Sequence, residues 1–305
     1  MSELGEIEGF RSGFVALVGR PNVGKSTLLN ACMGKKIAIT SPVAQTTRRR
    51  LRAVVNGPNS QLVIVDTPGL HKPKDALGKE LNQAALGELN DADVVAFLVD
   101  LTQPVGRGDA WVARHVESSA APFKLLVATK ADLSSPDQVA SQIEAARELA
   151  SFDDVIVVSA TEGFNVDGFI ELVSAHLPEG PKWFPDDMPS DATNADIIAE
   201  FVREKLYLEL KQELPHSIGV ICERLEERTD GHISAEATIL VEREGQKGIV
   251  ISTGGQLLKR VGTAARRDIE RLLDASVYLE LNVRVQPAWR RDVNEIRRLG
   301  YSAEG

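Results

Sequence analysis

"GRPNVGKST" occupies residues 19–27 and has the spacing G-x-x-x-x-G-K-[ST]. Ahead of it runs "FVALVG" (14–19), apolar and strand-like, and behind it residues 25–34 carry a helical pattern. Strand, glycine loop and helix in that order form the context in which this spacing binds phosphate. Gly19 and Gly24 let the loop curl so that successive N–H groups face the phosphates, and the helix N-terminus adds its dipole. Lys25 is placed to neutralise β- and γ-phosphate charge, and Ser26 to offer its hydroxyl to Mg²⁺. Asn22, Val23 and Thr27 complete the loop's contact with a nucleotide.

On either side of this unit, short apolar runs alternate with helical stretches. "QLVIVD" (61–66), "DVVAFLVD" (93–100), "FKLLVAT" (123–129) and "DVIVVSA" (154–160) are near-continuous in Val, Ile and Leu, as strands buried on both faces should be. "LRAVVN" (51–56) reads as an added strand with one polar face. Helical segments fall near 25–34, 77–89, 109–118, 137–150 and 166–177. The pattern predicts an α/β fold, a doubly wound P-loop domain over 1–180. "PEGPKWFPDDMPSDATN" (178–194) has four prolines and no periodicity, and 181–195 is read as a linker. Beyond it a smaller α+β domain, 196–305, reads helix (196–212), strand (216–227), strand (233–244), Gly-Gly loop, helix (256–274), strand (276–285) and a basic tail.

The 305 residues carry a net charge of −9, unevenly spread: residues 246–300 hold about +5 and the remainder about −14. A basic C-terminal portion on an acidic body suggests a local anion-binding surface. Cys32 and Cys222 lie far apart in no ligand spacing and are expected to be buried free thiols of a reducing compartment. The acidic start "MSELGEIEGFRSG" lacks the apolar stretch of a signal peptide. The longest apolar run, 94–99, is too short to cross a bilayer. A cytoplasmic monomer is expected.

Three further stretches end predicted strands, where doubly wound sheets bind ligands. "DTPG" (66–69) puts Asp66 near the metal and the Gly69 amide near a γ-phosphate. "TKAD" (129–132) supplies Thr129, Lys130 and Asp132, and "SAT" (159–161) supplies Ser159 and Ala160. Asp132 can accept from both N1–H and the exocyclic amine of guanine, which adenine cannot match, so the buried acid would be left unpaired. GTP and GDP are the expected nucleotides, and an ATPase the less favoured reading.

These motifs resemble the five sequence motifs of small GTPases, and "GRPNVGKS", "QTTRR" (45–49) and "DTPG" have the wording of the TrmE–Era family of ribosome-assembly GTPases. "ELPHSIGV" (213–220), "ARRDIE" (265–270) and "VYLELNVRV" (277–285) extend the resemblance over nearly the whole chain. It implies a GTPase domain followed by a type II KH domain, slow Mg²⁺-dependent GTP hydrolysis, and binding of the 3′ end of 16S rRNA during assembly of the 30S subunit. It also implies peripheral contact with the inner face of the cell membrane. Thr47 is the implied switch threonine that meets Mg²⁺ when γ-phosphate is present, with Thr46 its rival. Asn22 has two readings, a K⁺ ligand as in relatives or a residue that only shapes the loop. Arg48–Arg50 are either phosphate or RNA contacts or a solvated switch segment.

Two departures stand out. Thr129 replaces the family's usual Asn, as in Rho-type GTPases, so GTP specificity should hold with weaker affinity. Leu70 stands where Ras-like proteins have a water-orienting Gln, a substitution the family shares. In the second domain the implied G-x-x-G loop is Ser252, Thr253, Gly254 and Gly255, with Ser252 replacing the first glycine and its hydroxyl free for phosphate. Lys259, Arg260, Arg266 and Arg267 follow at about one-turn spacing, so some of them are expected to flank the RNA groove. The competing reading keeps the GTPase switch and makes the KH fold a protein- or membrane-interaction module.

Overall fold

In a computed structural model, which describes residues 9–302 apart from 74, 213, 228 and 230, β1 (Arg11–Val18) runs through the middle of a six-stranded sheet. Its neighbours are β3 (Ser60–Asp66) and then β2 (Leu51–Asn56) on one side. On the other lie β4 (Val94–Asp100), β5 (Phe123–Thr129) and β6 (Asp154–Val157). Every pairing is parallel except β2 with β3, so the sheet is mixed, and β2 is the added strand. The opening residues 1–8 of the acidic N-terminal stretch lie outside the described residues.

The double winding follows from the period of two along β1. Val15 and Leu17 face a layer formed by α1 (Lys25–Met33) and α5 (Val166–His176), through Leu28, Leu29, Phe169 and Val173. Ala16 and Val18 face the opposite layer of α2 (Ala76–Asp91), α3 (Arg107–Ser118) and α4 (Pro136–Arg147). Both faces are dry, which is why the central strands read as apolar without alternation.

The second domain begins with α6 (Asn194–Glu209), whose N-cap Thr193 exchanges hydrogen bonds with Asp196 in a capping box. Strands β7 (Gly219–Glu227) and β8 (Ile233–Val241) are antiparallel, and β9 (Val277–Val285) lies parallel to β8. Between β8 and the glycine loop stands α7 (Glu244–Ile251), which the sequence reading passed over. Its glycines and the run Ile249-Val250-Ile251 suggest a strand. The helix forms because Gln246 Oε1 accepts from the N–H groups of Glu242 and Arg243 and caps it. After the loop, α8 (Gln256–Leu273) buries Leu257, Val261, Ala265 and Ile269 against the sheet.

The basic tail is part of the core. Trp289 and Tyr301 are fully buried with Ile296 of α9 (Val293–Arg298) and Leu299 just after it, and they close on Leu77 and Leu81 of α2 in the first domain. Two of its arginines are held in ion pairs, Arg290 with Glu242 and Asp75 and Arg298 with Glu223. The linker is likewise laid down, since Val54 N–H donates to Pro189 O and Arg52 N–H to Asp191 along the free edge of β2. Cys32 is buried, but Cys222 is only half-buried, at the register shift in β7. Among the described residues, no helix is long and apolar enough to cross a membrane.

Candidate functional site

The carboxyl ends of β1, β3 and β5 bound a cavity of about 560 Å³, lined among others by Asn22, Gly24, Lys25, Ser26, Thr27, Thr47, Gly69 and Lys130. Gly24 turns the loop at φ +102°, a conformation that side chains rarely adopt. Gly69 is fixed by closeness instead, because a Cβ there would stand 2.8 Å from Pro21 N. Lys25 is buried, with Nζ donating to the carbonyl oxygens of Gly19 and Arg20. Burial drives its pKa down to about 8 against the pull of Asp66. A buried ammonium without a full counter-charge is a seat for an anion.

Three oxygens converge beside it. Ser26 Oγ donates to Asp66 Oδ2 at 2.6 Å, Thr47 Oγ1 lies 3.1 Å from the same atom, and the two hydroxyls are 2.9 Å apart. Burial pushes the Asp66 carboxyl up while Lys25 and the hydroxyls pull it down. Asp66 Oδ1 is buried and has no hydrogen-bond partner among the described residues. Hard oxygens with an orphaned carboxylate oxygen fit Mg²⁺. The structure brings Thr47 to this cluster, whereas Thr46 turns away to Ser41 Oγ and Val43 O, each at 2.7 Å.

Thr129 donates its hydroxyl to Val23 O at 2.7 Å, with Val99 O at 2.9 Å. A threonine therefore ties the phosphate loop to β5. Its single proton is committed there and has none left for guanine N7. Lys130 sits at φ +62° and its ammonium is held by Asp100 at 2.6 Å. Asp132 accepts from Ser159 Oγ at 2.6 Å, which fixes the carboxylate plane. The acid is exposed, not buried, so it is desolvated only when a base covers it. Ala160 lies next to this pair, partly buried. Asn22 has φ +65° and donates to Pro42 O at 2.8 Å, bridging the phosphate loop to the segment before Thr47.

The arginine run is divided. Arg48 is buried in the second domain, its guanidinium donating to Ile218 O at 2.5 Å and His216 O at 3.1 Å. Tyr207, Trp289 and Tyr301 surround it with ring centroids at 5.7, 5.9 and 5.8 Å. Arg49 pairs with Asp196 and Arg50 with Glu88. Neither a solvated segment nor a phosphate contact describes Arg48. Glu204 adds a second tie, accepting from Thr40 N–H at 2.9 Å and from Lys36 at 2.6 Å.

In the second domain a groove of about 440 Å³ is lined by Gly255, Lys259, Arg266, Tyr278, Leu279 and Leu281, among others. Lys259 and Arg266 face it. Arg260 points to α6 instead and pairs with Glu209 at 2.8 Å. Thr253 and Gly254 are exposed at the tip of the loop. Tyr278, 67% exposed, is a ring platform on the groove that the sequence reading did not single out. Asp100, Leu208 and Gln45 were also passed over. A carboxylate closing the all-apolar strand β4 was the available signal for Asp100; nothing local marks Leu208, which reaches the nucleotide cavity from α6.

Ser252 has φ +61° and ψ 177°, a region nearly reserved for glycine. Its hydroxyl oxygen accepts from Leu257 N–H at 2.8 Å and so caps α8, while its proton stays available to a phosphate oxygen. Backbone strain of about 1–3 kcal/mol is set against a cap worth about 1 kcal/mol. Ser252→Ala keeps the strain and loses the cap, and chemical denaturation should show a loss of about 1 kcal/mol. Ser252→Gly trades one for the other and should be no less stable than the parent. An alanine variant of unchanged stability would refute the capping role.

Residues 14–130 match the family model described as 50S ribosome-binding GTPase, and residues 213–290 match the KH domain model. The chain is similar, at 36% identity and TM-score 0.91, to a crystal structure of Era in complex with MgGDPNP and nucleotides 1506–1542 of 16S ribosomal RNA. The match covers 96% of this chain and 99% of that one. A point variant of Era from Aquifex aeolicus, bound to GDP and AlF₄⁻, matches with the same identity, TM-score and coverage of this chain, over 100% of its own length.

Proposed function

The chain belongs to the Era family of GTPases, and on that footing we propose that its KH groove holds the 3′ end of 16S rRNA in step with the bound nucleotide, during maturation of the 30S subunit. Hydrolysis of GTP to GDP and phosphate is the chemistry of the first domain. The observation that carries the coupling is the adjacency of Thr47 and Arg48: one side chain stands at the cation cluster and the next is buried in the second domain.

Ser26, Thr47 and Asp66 would hold Mg²⁺, which when bound neutralises charge on the β- and γ-phosphates. Lys25 and the N-terminus of α1 hold the phosphate chain, and the Gly69 amide meets its end. Lys130 lays its stem along the base, and Asp132 reads the base edge with Ser159 and Ala160 beside it. Asn22 Oδ1, on the amide that reaches Pro42, is the place for K⁺. Lys259 and Arg266 take RNA phosphates, Gly254 and Gly255 admit the strand closely, and Tyr278 stacks a base. We divide the chain into 1–180, a linker at 181–195 and 196–305, and place the protein in the cytoplasm as a monomer with peripheral membrane contact.

The test is binding of a short strand matching the 3′ end of 16S rRNA, against a scrambled control, with a non-hydrolysable GTP analogue or GDP at two salt concentrations. Tighter binding of the matched strand in the GTP-like state is expected. Lys259→Ala and Arg266→Ala should each weaken it by about 1 kcal/mol and lower the salt slope by about one. Equal, weak binding of both strands in both states, insensitive to these changes, would reassign the KH fold to protein or membrane contact.

A further inference from the structure

Leu70 is 1% exposed and packs into the α2–α3–α4 layer, so no side chain from that position reaches the phosphate end of the cavity. A carboxamide does reach it from elsewhere. Gln45 lines the cavity together with Lys25, Thr47 and Gly69. It sits at φ +62°, which costs a non-glycine residue some strain and is a pointer to function.

Its amide is held by a relay. Gln45 Nε2 is 2.7 Å from His71 Nε2, and His71 Nδ1 is 3.1 Å from Gly69 O. A carbonyl can only accept, so the proton lies on Nδ1 and Nε2 accepts from Gln45. His71 is anchored in turn: Asn82 of α2 donates to its carbonyl at 2.6 Å and accepts from its N–H at 3.4 Å. The amide nitrogen of Gln45 is thus pinned, and among the described residues its Oε1 has no hydrogen-bond partner. The neighbouring Thr46 hydroxyl is already spent on Ser41 and Val43.

We propose that Gln45 orients the attacking water, doing from the segment before Thr47 what Leu70 cannot do, and that His71 is its positioning residue. The inference rests on the GTP-hydrolysing reading above. Oε1 accepts one O–H of the water. The water oxygen then bonds to the γ-phosphorus as the bond to the β–γ bridging oxygen breaks. That electron pair leaves with GDP, and the water's proton goes to the released phosphate. Gln45 contributes orientation and no proton, so the effect belongs in the rate and not in nucleotide affinity.

Single-turnover hydrolysis and the affinities for GDP and a non-hydrolysable GTP analogue, measured on the full chain, test this. Gln45→Ala should slow hydrolysis roughly 10- to 100-fold with both affinities within about twofold of the parent. His71→Phe keeps the ring and removes the acceptor, and should slow it similarly. His71→Gln returns an acceptor near Nε2 and should restore most of the rate. An unchanged rate in Gln45→Ala overturns the proposal, as does a selective collapse of affinity for the GTP analogue, which would make Gln45 a tie between loops. Absence of hydrolysis in the parent protein would overturn the GTPase reading itself, and this inference with it.

Discussion

Asp132→Asn is expected to lose GTP and gain xanthosine triphosphate. The carboxylate offers two acceptors to a base edge, and Ser159, donating to Oδ1 at 2.6 Å, sets its plane. Guanine presents two donors there, N1–H and the exocyclic amine. An asparagine replaces one acceptor with an NH₂ group, which then faces a donor. Xanthine carries a carbonyl in place of the amine and restores the match. Two charge-assisted hydrogen bonds become one neutral bond and one repulsion, a loss on the order of 3 kcal/mol. GTP affinity should therefore fall by about two orders of magnitude. Competition of GTP, XTP and ATP against labelled GDP reads both sides of the exchange. Unchanged GTP affinity in the variant would remove Asp132 from base recognition.

Much of this site was legible because its signals are local. The loop at 19–27 fixes its own conformation through Gly24, and the acids and hydroxyls that close strands arrive together because parallel strands share a carboxyl end. Thr129 could be flagged as a departure from the Asn of relatives. Its bond to Val23 O, across 106 residues, could not be read, since it depends on how β5 lies beside β1's loop. The same holds for Arg48, whose carbonyl partners at 216 and 218 are about 170 positions away. In sequence it is one of three consecutive arginines, a pattern usual for solvated surface. Helix α7 went unassigned between the strand and the Gly-Gly loop, because its cap is visible only once Gln246 folds back. Gln45 and His71 were quoted or bypassed as spacer between motifs, because a contact between two loops has no period and no motif.

Arg48→Ala should uncouple the two domains. Arg48 is 1% exposed, its guanidinium bonded to the backbone carbonyls of Pro215, His216 and Ile218 and enclosed by Tyr207, Trp289 and Tyr301. A desolvated cation over aromatic rings contributes about 2 kcal/mol, and hydrogen bonds to a charged donor about 1.5–3 kcal/mol each when lost. Nε has no partner among the described residues, which subtracts from the total. A net loss of about 3–5 kcal/mol is expected. Each domain keeps its own apolar core, so the loss should appear as undocking, with denaturation split into two transitions. The functional consequence follows from chain connectivity. Thr47 cannot move from the cation cluster without drawing on Arg48, so a nucleotide that holds Thr47 also holds the seat of the second domain. Without that side chain, the difference in RNA affinity between the GTP analogue and GDP should shrink toward none, and by linkage RNA should cease to favour either nucleotide. Arg48→Lys keeps the charge but not the fork that spans Ile218 O and His216 O, and should fall between the two. If Arg48→Ala undocks the domains yet leaves the nucleotide dependence of RNA binding intact, the coupling runs through another contact, and the tie from Glu204 to Thr40 N–H is where it would have to lie.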